Sequence, residues 1–442
     1  MQTTRRNFLK QSLTTVAGLG MTSILPTALA AGHAQSSANE TLVVGLIGCK
    51  GMGYANLADF LKQPNVACTA LCDIDDEWLN KRAEDVKNTT GKKPKLYKDF
   101  RKLLERKDID AVIIGTPDHW HCLPLVYACE AGMDVYVEKP LANSIGECDI
   151  MLRAARKYNR IVQVGQQQRS GKHWAEAIQF VQGGQLGKIR RISIWANFNY
   201  GAGRPVVPDE PVPPGVDFDM WLGPAPERTF NRNRFHGSWR MFWDYGGGLM
   251  TDWGVHLLDM GLWAMNISTP PKSVTAVGGI FASQGNAVET ADTQSVIYEF
   301  DDFIMTWNHD AGIQSGPYAR NYGVAFRGTN GTLVADRDNW EVLPEGGDED
   351  RRMEPVPPQL SDHLSHENHV KDFIDCVKTR KTPACDIQIG RNAAFYAHLG
   401  NIAYRTGHKL IWDEQQKQFS NCKAANMFVT PTYRKPWELP EI

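Results

Sequence analysis

Three groups of residues combine types and spacings that could do chemistry. The first is Gly48-Cys49-Lys50-Gly51-Met52-Gly53, which follows the β-branched run Leu42–Ile47 and precedes a helical stretch at 54–62. Glycines there permit a tight turn and let a pyrophosphate reach a helix N-terminus, whose unpaired N–H groups and positive dipole favour an anion. The spacing departs from G-x-G-x-x-G, because Lys50 stands at the second glycine position and an extra glycine follows at 51. A second strand, 66–71, ends in Cys72-Asp73-Ile74-Asp75, about twenty residues after the last glycine. An acid at Asp73 can accept both ribose hydroxyls of an adenosine, and its charge repels a 2′-phosphate, so the pattern predicts NAD rather than NADP.

The second group is the segment 234–245, which holds five aromatic residues and two arginines, among them Trp239, Arg240, Trp243 and Tyr245. Sugars present C–H faces that stack on aromatic rings and hydroxyls that need charged or amide partners, so this mixture fits a carbohydrate pocket. The competing reading puts Phe242 and Trp243 in the core. The third group is His363, His366 and His369 with Glu367, spaced to share one helix face as metal ligands could. Against a metal, Ser365 reads as an N-cap, and Val370, Phe373, Ile374 and Val377 form the apolar stripe of an ordinary helix, so no metal is expected.

The elements that must position these groups alternate strand and helix. Further strands are expected at 111–115, Asp134–Val137 and 160–165. Two of them end in polar residues, Thr116-Pro117-Asp118-His119-Trp120-His121 and Glu138-Lys139-Pro140, which marks one edge of a parallel sheet as a ligand crevice. Pro140 is expected to fix the turn that holds Lys139 there, supported by Glu138. The second half opens with a helix at 173–181 and a strand at 189–199. A Pro- and Gly-rich stretch, 200–226, reads as a long loop across an open sheet, an arm or lid. The Pro-rich segment 426–442 reads as a strap over the surface or onto a neighbouring subunit.

Composition narrows the function classes. The 442 residues carry 48 Lys and Arg against 50 Asp and Glu, a net charge of -2, so no basic field exists to hold a nucleic acid. Nine cysteines without paired spacing suit neither a disulfide framework nor a zinc site. The N-terminus reads Thr4-Arg5-Arg6-Asn7-Phe8-Leu9-Lys10, then a weakly apolar stretch at 12–25 and Ala28-Leu29-Ala30. That resembles a twin-arginine export signal, predicting transfer by the twin-arginine machinery to the periplasm. The stretch is too broken by Thr, Ser and Gly to span a bilayer, so no stable membrane anchor is expected.

Together the Gly48–Gly53 turn, Thr116 to His121, Glu138-Lys139-Pro140-Leu141 and the run from Gly246-Gly247-Gly248 through Asp252-Trp253-Gly254-Val255-His256 to Asp259 resemble the Gfo/Idh/MocA oxidoreductases over about 42–412. The resemblance implies an α/β fold, with an N-terminal Rossmann domain at 40–165 after a signal at 1–34. A substrate and oligomerisation domain with a large open, mainly antiparallel sheet follows at 166–415, and a strap at 416–442. It implies Lys139, Asp252 and His256 as the catalytic set. Asp252 and His256, spaced i, i+4, would share one helix face. A neutral His256 would take the proton of a sugar hydroxyl. Lys139 would polarise the developing alkoxide, and Asp252 would orient the imidazole or bind a neighbouring hydroxyl. The cofactor set expected is Gly48, Lys50, Gly51, Met52, Gly53, Asp73, Thr116, Pro117, His119, Trp120, His121, Glu138, Lys139 and Gln167. Substrate contacts are expected from Arg169, Trp239, Arg240, Trp243 and Tyr245. Two activities follow: hydride transfer between a sugar or glycoside secondary alcohol and tightly bound NAD, or a redox-neutral NAD-dependent glycosidase. A homo-oligomer, dimer or tetramer, through the open sheet is also implied.

Overall fold

The computed structural model describes residues 41–442, so the twin-arginine segment lies outside the described residues. Strands β1 (Leu42–Ile47), β2 (Val66–Cys72), β3 (Lys95–Tyr97), β4 (Ala111–Ile114), β5 (Asp134–Val137) and β6 (Val162–Val164) form one sheet in the order β3-β2-β1-β4-β5-β6. Every pairing in it is parallel. Helices cover both faces, which is why β4 and β5 are buried at every residue and read as continuous apolar runs. Strand order reverses between β1 and β4, so the carboxyl ends of those strands open a crevice where the glycine turn lies. β3 is too short for periodicity to have announced it.

The second sheet is built from β7 (Arg191–Ala196), β9 (Ser273–Gly279), β11 (Thr293–Glu299), β12 (Ile304–Asp310), β13 (Tyr322–Arg327), β14 (Gly331–Ala335), β15 (Asn339–Pro344) and β16 (Val356–Leu360); the short strands β8 (Arg204–Pro205) and β10 (Asn286–Ala287) pair separately. Its order is β16-β15-β14-β13-β7-β12-β11-β9. Only β7 and β12 run parallel, so the sheet is mainly antiparallel as expected. Its inner face packs on helices Gly254–Ala264 and Ile387–Thr406 through a core that includes Trp174, Trp307, Tyr298 and Phe326. Full burial of one such side chain stabilises by about 1.5–3 kcal/mol. Along β11, Gln294, Val296 and Tyr298 are buried while Ser295 and Ile297 face outward, the alternation of a one-sided sheet.

One connection departs from expectation, and the C-terminal segment takes the first of its two expected places, over the surface of its own chain. The loop after β7 does not lie across the sheet: it returns to the parallel sheet, where Asp76 N donates to Gly215 O and Asp217 N to Ile74 O. The last segment packs on its own chain, with Trp437 edge-on to Trp120 at 4.9 Å and the Tyr433 hydroxyl donating to Glu147 at 2.6 Å. Both carry apolar side chains that the β4–β5 region buries. All nine cysteines are free thiols, eight of them buried. No helix among the described residues is long and apolar enough to cross a membrane.

Candidate active site and dinucleotide cleft

The glycine turn is shaped by close approach. Gly48 has φ +88°, and a Cβ on it would lie 2.7 Å from the backbone of Gly115 and Thr116. A Cβ on Gly53 would collide with the Gly48 carbonyl oxygen, and one on Gly115 with the Gly53 Cα. These three glycines let helix Met52–Lys62 press against β1 and β4. Gly51 differs: its φ is +55°, but nothing lies within 4 Å of where its Cβ would be. The helix it starts has no side-chain cap and no acid in its first turn, leaving its N–H groups free for an anion. The cleft above, about 280 Å³, is lined by Gly48, Lys50, Gly51, Met52, Asp73, Thr116, Pro117, Trp120, Glu138, Lys139, Trp239 and Arg240 among others. An open glycine, an uncapped helix and an acid at the next strand end fit a dinucleotide. Asp73 accepts from Cys49 N at 2.6 Å and Asp75 N at 3.0 Å, and burial pushes its carboxyl up to about 6 against those bonds. Lys50 lies over the Trp78 ring at 4.5 Å, and burial lowers its ammonium pKa.

The arm formed by the loop after β7 and the segment around 236 roofs this cleft. Met220, Trp221, His236, Gly237 and Trp239 line it from the arm side. His236 Nε2 meets Asp75 Oδ2 at 2.7 Å, Lys98 Nζ donates to Gly215 O at 2.8 Å, and Trp120 Nε1 donates to Trp221 O at 2.9 Å. Gly223, at φ +51°, is required because a Cβ there would fall on the Trp120 ring.

At the mouth of the cleft Asp252 collects three donors. Lys139 Nζ donates to its Oδ1 at 2.5 Å and its carbonyl at 3.0 Å, Arg240 Nε to Oδ1 at 3.1 Å, and the Tyr200 hydroxyl to Oδ2 at 2.9 Å. Burial disfavours its charge, but the Lys139 and Arg240 cations and these bonds outweigh burial and hold the carboxyl well below the usual range. Asp118, buried beside the same cations, goes the other way, because burial dominates and pushes its pKa well up. The helix expected to carry Asp252 and His256 on one face is broken at Trp253, between Gly248–Asp252 and Gly254–Ala264. No hydrogen bond joins Asp252 to the imidazole, although its charge acts on it. His256 Nδ1 is buried without a partner, and burial with the Lys139 and Arg337 charges pushes its pKa well down, so it is neutral at pH 7.

Several expected contacts belong to the frame rather than the cleft. His121 sets Nδ1 2.8 Å from Pro140 O and Nε2 2.9 Å from Thr116 O, so its single N–H donates to one of these two carbonyls, and His119 Nε2 meets Trp221 O at 3.0 Å. Burial lowers both imidazoles to about 4. The two histidines thus fix the loops that present Thr116, Pro117 and Lys139; the Lys139–Pro140 peptide is cis. Arg169 is turned away from substrate into a bidentate pair with Asp259 at 2.7 and 2.8 Å. Tyr245 is fully buried against Trp221 at 4.7 Å, and Trp243 lies under Arg405 at 4.7 Å; neither lines the cleft, nor does Gln167. Glu138 accepts from Asn56 Nδ2 at 2.7 Å, whose Oδ1 meets His366 Nε2 at 2.8 Å. His369 Nε2 bonds Val164 O at 2.9 Å. His366 and His369 thus tie helix Ser365–Thr379 to helix Met52–Lys62 and to β6, while His363 is exposed. Leu364 takes the N-cap position, and Ser365 sits one residue inside the helix without capping it.

Tyr200, Arg337 and Asp118 join the site without having been proposed for it. Tyr200 follows the end of β7, so the strand-end rule applied to the first sheet would have found it. Arg337 sits in the β14–β15 turn Asp336-Arg337-Asp338, which reads as an ordinary polar hairpin.

A doubly wound dinucleotide sheet, followed by an open sheet that brings cations and a neutral histidine to the cleft, defines a two-domain oxidoreductase. The family model described as an oxidoreductase family with an NAD-binding Rossmann fold matches residues 42–166, and that of its C-terminal α/β domain matches 176–304 and 353–439. The chain belongs to the Gfo/Idh/MocA oxidoreductase family, and its first domain is that family's NAD-binding Rossmann fold. It is similar to the uncharacterised oxidoreductase YrbE of Bacillus subtilis, 24% identical over 386 residues, 86% of this chain and 98% of that protein. It is also similar to a glycosyl hydrolase family 109 protein of Saccharopolyspora erythraea, 26% identical over 257 residues. That match covers 55% of this chain and 50% of the relative, so the chain spans about half the length of the curated glycosidases it matches. Among solved structures, a levoglucosan dehydrogenase in complex with NADH and levoglucosan superposes with a TM-score of 0.65 at 19% identity, covering 84% of this chain and 99% of that one.

Proposed function

We propose that the protein oxidises or reduces a secondary alcohol of a sugar or glycoside with an NAD that stays bound between turnovers. The observation that carries this reading is the arm, which roofs the dinucleotide cleft and is latched by His236 on Asp75 and Lys98 on Gly215. Release of a dinucleotide would require those contacts to break. Retention suits a protein that the twin-arginine signature sends to the periplasm, where no free nicotinamide pool exists. Asp73 favours NAD over NADP. The bound NAD supplies a hydride acceptor or donor at its nicotinamide ring. Lys139 polarises the substrate oxygen and, with Arg240, stabilises the charge that grows on it. The neutral His256 accepts the hydroxyl proton. Asp252 holds Lys139, Arg240 and Tyr200 in one array. Assembly through the outer face of the open sheet, where Val277 and Ile297 are 66% and 45% exposed, completes the proposal.

The second reading, a redox-neutral glycosidase, is favoured by the family 109 relative and by Tyr200. A phenol on the same carboxylate as Lys139, which burial and Asp252 keep protonated, adds a hydrogen-bond donor beside the oxidised carbon. The test is to add a panel of sugars and aryl glycosides to purified protein with no external NAD. A change in reduced-nicotinamide absorbance on sugar addition supports the oxidoreductase, and catalytic aglycone release without an acceptor supports the glycosidase. Neither signal with any member of the panel rejects both.

A further inference from the structure

The substrate side of the site is charge-unbalanced. Lys139, Arg240 and Arg337 face one ionised carboxylate, Asp252, already shared by the first two. Asp118 does not restore the balance, since burial favours its neutral form. Glu138 faces Asn56 on the cofactor side. Arg337 is brought here by its turn, which lays the guanidinium over the ring of Trp253, the residue after Asp252, at 4.5 Å, and its charge acts on His256. Its one hydrogen bond is long, Nη2 to Gln168 Oε1 at 3.4 Å, and its Nε is buried without a partner. Among the described residues no carboxylate lies within 4.0 Å of it. Asp336, its neighbour, is taken by Arg320 at 2.9 Å, and Asp338 is exposed. Arg169 and Arg391, by contrast, are matched, with Asp259 at 2.7 Å and with Asp149 at 2.7 Å. Gln168, 1% exposed, leaves its Nε2 donor unpartnered at the same place.

A partly buried guanidinium without a counter-ion is costly, and a neutral sugar would leave it so. A carboxylate matches its planar fork and supplies the missing charge. We propose that the sugar or glycoside taken by this site carries a carboxylate, as in a uronic acid, and that Arg337 is the residue that holds it. The inference rests on the sugar-oxidoreductase reading and names its substrate class.

The test uses the full protein with its cofactor. Binding of glucuronate and of glucose, and of their aryl glycosides, is measured by calorimetry and by change in bound-nicotinamide fluorescence, in the parent, Arg337→Gln and Arg337→Lys. The expected result is a preference for the uronate of about ten-fold or more, since a charge-assisted contact of this kind is worth roughly a factor of ten or above. That preference weakens with salt, collapses toward unity in Arg337→Gln and partly returns in Arg337→Lys. Unchanged thermal midpoint and cofactor content show that the variants are folded. A parent that binds the neutral sugar as well as the uronate, or a ratio that survives Arg337→Gln, overturns the assignment while leaving the oxidoreductase reading intact. No binding of any sugar overturns both.

Discussion

Replacing Asp252 by Asn keeps the side chain's shape and removes the one negative charge between Lys139 and Arg240. The carboxylate lies 2.5 Å from Lys139 Nζ and 3.1 Å from Arg240 Nε. Both members of the Lys139–Asp252 pair are 11% exposed at the side chain, so solvent screens them little. At an effective dielectric near 20, these contacts amount to roughly 5–7 kcal/mol of attraction each. Desolvation cancels much of that while the pair is intact, but removing one partner strands two cations, which costs about 3–5 kcal/mol. At about 2 °C per kcal/mol or less for a chain of this size, the thermal midpoint falls by several degrees. The same change disarrays Lys139 and Arg240, so kcat/KM falls by about two orders of magnitude or more. Calorimetry and single-turnover kinetics measure the two effects. The double variant Asp252→Asn, Arg240→Leu is the sharper control: it removes a stranded cation, so it is more stable than the summed single losses predict, by about 1 kcal/mol or more. Strictly additive losses, or a midpoint within about 1 °C of the parent, refute the idea that Asp252 acts by compensating charge.

Three further outcomes are expected. Gly53→Ala places a methyl against the Gly48 carbonyl oxygen, so the helix shifts off the strand and purified protein loses its nicotinamide; a variant with full cofactor content contradicts the interlocking-glycine account. His236→Ala removes the latch on Asp75, so cofactor exchange with labelled NAD speeds up several-fold while the midpoint with saturating NAD holds; an unchanged exchange rate contradicts the roof. Burial holds His119, His121, His309, His369 and His398 at about 4, below the unfolded value of about 6.5, so stability is lost as pH falls through that window. Asp73, held at about 6, and Glu147, at about 7, bind protons in the folded state and oppose this, leaving about three protons taken up on unfolding near pH 5. Urea midpoints that do not fall between pH 6 and 5 contradict that balance.

The parallel sheet was legible because its strands are buried on both faces and announce themselves as apolar runs closed by glycine or polar residues. The glycine turn and Lys139 were legible for the same reason, since both stand at strand ends. What could not be read was direction. Arg169, Trp243 and Tyr245 carry the right chemistry for a sugar, but pairing with Asp259 and burial against Trp221 turn them into scaffold. His119 and His121 were misplaced because a histidine bonding backbone carbonyls looks, in sequence, like one facing a ligand. The Asp252–His256 spacing hid a helix break at Trp253. Arg337 depends on a hairpin reaching back over Trp253, a long-range contact that no local pattern encodes.

The central claim is that an NAD held under the arm serves sugar chemistry without leaving the protein. Its most direct test is to purify the protein without added nucleotide, pass it through gel filtration, denature it and assay the supernatant for nicotinamide dinucleotide. The account predicts close to one equivalent per chain, mostly NAD rather than NADP. Protein that is folded yet releases none, and that takes up NAD only in free exchange, would contradict it.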